Sequence, residues 1–207
     1  VAEVPWRYLA ALVVLAIGAV AAMIYAAPYR INRIISFMDP FADPLGGGYQ
    51  VVQSLYAIGS GSLFGVGLGA SRQKLMHLPE MHTDFIFSAI SEELGLIFAL
   101  CMILICLSCY VMFLNIAMKL QNQFYKMVAL GLGTCYIFQT FITIGGVTKF
   151  IPSTGVTLPL VSYGGSSVLS TIIMFAIIQG LYILREDEEE DLERKKEKQN
   201  FTFRILT

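Results

Sequence analysis

Charge is the scarcest ingredient of this sequence. Asp, Glu, Lys and Arg make up 14% of its 207 residues, against roughly 25% in an average soluble domain. Even that share is concentrated, because the stretch from Arg185 to Lys198 holds much of it. With 56% hydrophobic residues and a mean hydropathy of +0.68, a soluble globular domain is excluded and a polytopic membrane protein is expected. A basic excess is also missing: the net charge of −1 gives no electrostatic footprint for nucleic acid. A disulfide framework is missing too. Cys101, Cys106, Cys109 and Cys135 all fall in apolar runs, and the C-x-x-C at Cys106 reads as small apolar side chains inside a membrane helix. Residues 1–5 lack a signal-peptide n-region, and the first apolar run is too long for an h-region, so the chain is expected to be part of a longer protein.

What is present is length of apolar run. A spanning helix needs about 20 apolar residues, and four runs qualify, at about 6–28, 84–114, 124–147 and 160–184. The fold class is therefore all-α, a single membrane domain with a long loop at 29–83 and a charged tail at 185–207. Four spans place both ends on one side. That side holds Arg7, Lys119, Lys126, Arg185 and the cations of the tail; the other holds Arg30, Arg33, Arg72, Lys74 and Lys149. The richer side faces the cytoplasm, which makes the loop 29–83 extracytoplasmic. The tail "REDEEEDLERKKEKQN" is expected as a solvated helix or disorder.

Inside the long loop, "GYQVVQSLYAIGSG" spaces its apolar residues as a short helix does, lying at the interface or folded back into the protein. The following "GSGSLFGVGLGAS" has no strand before it and no βαβ unit around it. Close backbone packing explains its glycines better than nucleotide binding does.

Two stretches carry the candidate chemistry. In "KLMHLPEMHTDFIFSAISEELG", Thr83 is placed to cap a helix opening at Asp84, where an acid suits the dipole. Asp84, Ser88 and Ser91 or Glu92 form a polar stripe at helical spacing. A carboxylate as deep as Glu92 needs a partner or a wet cavity; pairing with another helix and a functional role explain Glu92 and Glu93 equally. The cations Arg30, Arg33, Arg72, Lys74 and Lys149 stand on the side where the charge rule disfavours them. Phosphate binding gives a reason; lipid headgroups or the acids Asp39, Asp43 and Glu80 give another. An aspartate beside cations over a hydrophobic body suits chemistry on an anionic lipid: Asp84 as general base on a hydroxyl, with a cation-assisted pyrophosphate leaving group. His77 and His82, with Glu80 and Asp84, match no zinc spacing. A divalent cation such as Mg²⁺ bridging Asp84 and a pyrophosphate fits better, and is the only cofactor expected.

The second stretch is "FIPSTGVTLPLVSYGGSSVLS". Pro152, Pro159 and Gly164-Gly165 break the approach to the last span, and Ser162, Ser166 and their neighbours supply hydroxyls. Broken backbone at membrane depth belongs against protein or a wet cavity. Ser162 sits in no G-x-S-x-G elbow, so a serine hydrolase is not indicated.

"LPEMHTDFIFSAISEELG" and "IPSTGVTLPLVSYGGSS" resemble the signatures of the SEDS family, which comprises FtsW, RodA and SpoVE. "RIISFMDPFADPLGGGYQVVQSLYAIGSGSLFGVGLGASRQK" resembles the segment before the first signature. The wording of "DPFADP" and "TLPLVSYGGSS" is closest to FtsW. The resemblance implies the C-terminal part of a ten-helix fold in the bacterial cytoplasmic membrane. The implied activity is a peptidoglycan glycosyltransferase polymerising lipid II outside the membrane, in division or elongation, with a class B penicillin-binding protein and other divisome membrane proteins as partners. The family's essential loop acid maps onto Asp84 and a basic position onto Lys74. Arg72, Glu80, His82, Ser162 and Ser166 complete the expected substrate-binding set. Where the family often has Asn, this chain has Thr143 in "QTFITIG". Two rivals stay open: a lipid II flippase, which needs polar groups along a whole path, and a non-catalytic divisome scaffold. The fragment alone is expected to be inactive.

Overall fold

Apolar runs longer than a bilayer is thick leave the backbone no partner but itself, and helices result. The computed structural model describes residues 5–26, 37–44, 46, 48–71 and 81–206. The main elements are α1 (Trp6–Ala26), α2 (Tyr49–Ser60), α3 (Ile86–Lys119), α4 (Gln123–Val147) and α5 (Gly165–Leu206), and no strand occurs among the described residues. α3, α4 and the Gly165–Glu197 part of α5 are long and apolar enough to cross a membrane, which makes this a multi-pass membrane protein. α1 occupies the expected first span with 21 helical residues, and its Trp6–Ala19 part is apolar.

α3, α4 and α5 pack around a shared aromatic cluster. Phe113, Tyr136 and Phe175, one from each helix, meet edge to face with centroids 5.2 to 5.7 Å apart. Cys106, Ile116, Ala129, Ile178 and Leu181 complete this core. The α3–α4 turn is capped by Asn122, whose side chain accepts from the Phe124 amide at 2.9 Å. At the same end, the Gln121 amide donates to Glu188 at 3.0 Å and Lys119 lies 3.6 Å from Glu189. α5 thus runs unbroken into the charged tail, whose acids meet the α3–α4 turn. Of the two states expected for the tail, helix is the one observed.

The other end is organised by a break. Gly95 adopts φ 85° and ψ 174° inside α3, dividing it into residues 86–94 and 96–119. The glycine-rich segment after α2 enters the gap. Val66 and Gly67 donate to the carbonyls of Glu92 and Glu93, at 2.9 and 3.1 Å, while Leu96 and Ile97 donate to Ser62 and Leu63, at 3.0 and 3.4 Å. Gly65 has φ 80°, and a Cβ there would strike the Glu93 carbonyl; one on Gly95 would strike the Leu63 carbonyl and Gly65 amide. Close backbone packing is therefore the role these glycines play. α2 folds back onto α3 with Val52, Ser54 and Ala57 buried, and Ser54 donates to the Val147 carbonyl at 2.8 Å. A second apolar core, with Met81, Phe85, Phe87, Met102, Val147 and Leu158, supports this end.

Candidate active site

Asp84 lies just before α3, in a turn over residues 81–85. The helix opens at Ile86 and its N-cap is Phe85, with no side-chain cap bond. The expected Thr83 cap and Asp84 start are thus two residues early. Phe85 is 1% exposed, packed in the apolar core with Met81 and Phe87. The Ser88, Ser91 and Glu92 part of the polar stripe is buried. Ser88 and Ser91 are buried and donate to the carbonyls of Phe85 and Phe87, both at 2.7 Å, so they serve their own helix rather than a wet path. Glu92 is 2% exposed and accepts a hydrogen bond from the buried Ser71. Residues 96–119 alone cover about 36 Å at 1.5 Å per residue, enough for the hydrocarbon core. Glu92, on the other side of the break, has in Ser71 the partner that a buried carboxylate needs.

The broken segment 150–164 folds over Asp84. Two of its carbonyls are taken by polar side chains of α4. Gln139 donates to the Thr157 carbonyl at 2.9 Å, and Thr143 to that of Val156 at 3.0 Å. The amide of Tyr163 donates to the His82 carbonyl at 2.8 Å, which joins the two signature stretches directly. Asp84, Thr143, Gly146, Ser153, Thr154 and Gly155 line a crevice of about 10 Å³, close to the room one water needs. Gly155 has φ 74°, and a Cβ on it would sit 3.2 Å from an Asp84 carboxylate oxygen. On the far side of Gly155 and Val156, an open cleft of about 650 Å³ is lined by Gln139, Thr157, Gly164, Ser166, Ser167 and Ser170. The strip of backbone at Gly155 and Val156 thus borders both the crevice with its carboxylate and an open cleft that carries four hydroxyl side chains.

Of the residues expected at the site, Asp84 and Ser166 flank this strip. His82 is exposed and contributes its carbonyl to the joint. Ser162 is 4% exposed and its hydroxyl accepts from the Leu158 amide at 2.8 Å; it shapes the turn and is not among the residues lining the cleft. Arg72, Lys74 and Glu80, with His77, Arg30 and Arg33, lie outside the described residues. Lys149 donates to the Met38 carbonyl at 3.4 Å. Thr157 and Ser167, among the hydroxyls read from the second stretch, line the cleft, whereas Gln139, Ser170 and Gly155 were not singled out. Gln139 had a legible signal, a large polar group within an apolar helix. Gly155 did not, since its value is the space it leaves for Asp84.

A divalent cation here would find one carboxylate, with the Ser153 and Thr154 residues on the same crevice. No group of three His, Cys, Asp or Glu side chains able to hold a metal occurs among the described residues. That donor set fits Mg²⁺, which binds through one or two carboxylates and completes its shell with substrate phosphates and water. It does not make a zinc site.

Comparison with known proteins agrees with this architecture. The FtsW/RodA/SpoVE family of cell cycle proteins matches residues 1–186. Stage V sporulation protein E of Bacillus subtilis (strain 168) is 47% identical over 155 residues, which are 75% of this chain and 42% of that protein. The "Probable peptidoglycan glycosyltransferase FtsW" of Neisseria gonorrhoeae (strain NCCP11945) is 43% identical over 195 residues, 91% of this chain and 40% of that protein. A solved chain, from work on the structural coordination of polymerization and crosslinking by a peptidoglycan synthase complex, superposes with a TM-score of 0.62 at 26% identity. The match covers 89% of this chain and 50% of that one. The chain thus spans about half the length of the relatives it matches. A match over 186 of 207 residues, which includes both signature stretches, places the chain in the FtsW/RodA/SpoVE family.

Proposed function

We propose that the protein containing this chain is a peptidoglycan glycosyltransferase that polymerises lipid II, with Asp84 as its general base. The observation that carries this reading is the placement of the Asp84 carboxylate against Gly155, across one strip of backbone from the open cleft with its hydroxyl side chains. In the proposed step, Asp84 accepts the proton of the attacking sugar hydroxyl as that oxygen bonds to the donor's anomeric carbon. The lipid pyrophosphate leaves with the bonding electron pair. Arg72 and Lys74 are assigned to hold the pyrophosphate, and Ser166 to hydrogen-bond the sugar. Mg²⁺ bound with the substrate would offset pyrophosphate charge.

The end bearing Asp84 faces outward in this reading, and the end bearing Lys119, Glu188 and the tail faces the cytoplasm, as the distribution of Lys and Arg favours. The membrane is the bacterial cytoplasmic membrane, and the partner a class B penicillin-binding protein in the divisome. The burial of Ser88, Ser91 and Glu92 within protein favours a transferase over a flippase, because these groups line no path among the described residues.

The test is polymerisation of purified lipid II by the full-length protein with its partner. Asp84→Asn, which keeps the side chain's size, is expected to abolish glycan strands while the protein remains folded. Near-normal strands from that variant would remove the base assignment, and with it the enzyme as framed.

A further inference from the structure

We infer that Glu92 is a positioning residue: its contact with Ser71 fixes the rotation of the half-helix 86–94 and so aims Asp84 at the cleft. This rests on the assignment of Asp84 as the base. The break at Gly95 uncouples residues 86–94 from the span behind them, and Asp84 sits in the turn 81–85 that leads into this half-helix, so a rotation of the half-helix carries Asp84 with it. Its front is joined to the broken segment through the His82 carbonyl and the Tyr163 amide. Its rear is stapled by the Glu92 and Glu93 carbonyls, which accept from Val66 and Gly67. Burial of Phe87 and Ala89 in the second apolar core holds one face of the half-helix, and the Glu92 side chain braces another. The Glu92 carboxylate reaches sideways to Ser71, and both residues are buried, at 2% and 0% exposure. A lever arm of that kind resists rotation.

The magnitude follows from helix dimensions. A side-chain atom lies about 5 Å from the helix axis, so a rotation of about 10° displaces it by roughly 1 Å. Misplacement of a reacting group by that distance costs up to about 10²-fold in rate. Ser71 and Glu92 touch neither crevice nor cleft, so their loss is expected to appear in kcat and not in KM.

The experiment uses the full-length protein with its partner, as wild type, Ser71→Ala, Glu92→Ala and Glu92→Gln. Polymerisation is measured over a range of lipid II. A distance distribution is measured in parallel by electron resonance between nitroxides at positions 82 and 124, in a background with other cysteines replaced. Ser71→Ala and Glu92→Ala are expected to lower kcat by about 10- to 100-fold with KM within about twofold, and to broaden the distance distribution. Glu92→Gln retains an oxygen that accepts from Ser71 and is expected to recover most of both. If Glu92→Ala does not fold, Ser71→Ala decides. Unchanged kcat in folded Ser71→Ala, or an unaltered distribution, overturns the inference; so does a rise in KM at constant kcat. Absence of polymerisation by wild type would instead defeat the proposed function, while the distance distribution would still decide whether Glu92 holds the half-helix.

Discussion

Replacing Gly95 by alanine makes three demands on one peptide. The first is conformational: φ 85° with ψ 174° is a region that essentially only glycine occupies, and forcing a side chain into it costs of order 1–3 kcal/mol. The second is steric, since the new Cβ would meet the Leu63 carbonyl and the Gly65 amide, neither of which is a flexible side-chain end. The third follows from the second. If the loop withdraws, the bonds from Leu96 to Ser62 and from Ile97 to Leu63 are lost, at about 0.5–1.5 kcal/mol each. The sum is about 2–6 kcal/mol. Equilibrium unfolding of the full-length protein in mixed micelles measures it. Gly59→Ala in α2 serves as control, because nothing lies within 4 Å of the added Cβ, and its change is expected within about 1 kcal/mol. Equal stability of the Gly95 and Gly59 variants would refute the description of the break as a backbone joint held by its glycines.

Gly155→Ala is expected to reduce polymerisation more than it reduces stability. Its φ of 74° disfavours a side chain and its Cβ would press on Asp84 from 3.2 Å; wild-type rates would show that the carboxylate's position against Gly155 is immaterial. Lys119→Ala is expected to change stability by less than about 0.5 kcal/mol, an effect that fades with salt, because the Lys119 and Glu189 side chains are 57% and 46% exposed. A loss above about 1 kcal/mol that persists at high salt would mean that the α3–α4 turn depends on this pair far more than its exposure allows.

The sequence made the apolar runs legible because length alone decides them. α4 opens and closes within a residue of its expected bounds, and the glycine-rich loop was readable as close packing because it lacked every element of a nucleotide site. Asp84 was conspicuous as an acid at the mouth of such a run. Gly95 was not legible. One glycine in "EELGLIF" is tolerated in a helix, and it becomes a break only because a loop some 30 residues earlier supplies four backbone partners. The start of α5 at Gly165, later than the apolar run suggests, reflects the turn at Pro159–Tyr163, where Leu160 takes φ 61° and Ser162 accepts from Leu158.

The joint at Gly95 also bears on how such a chain is made. The loop that fills the gap precedes the helix it enters, so residues 62–67 leave the ribosome before residues 92–97 do. When the break emerges, its partners already exist and are tethered about 30 residues away, a separation whose closure costs roughly 3 kcal/mol in chain entropy plus a constant. No later segment has to arrive before the interrupted backbone of α3 can be satisfied. A span that would otherwise expose open amides and carbonyls to lipid can therefore complete itself during synthesis, from material the chain has already delivered.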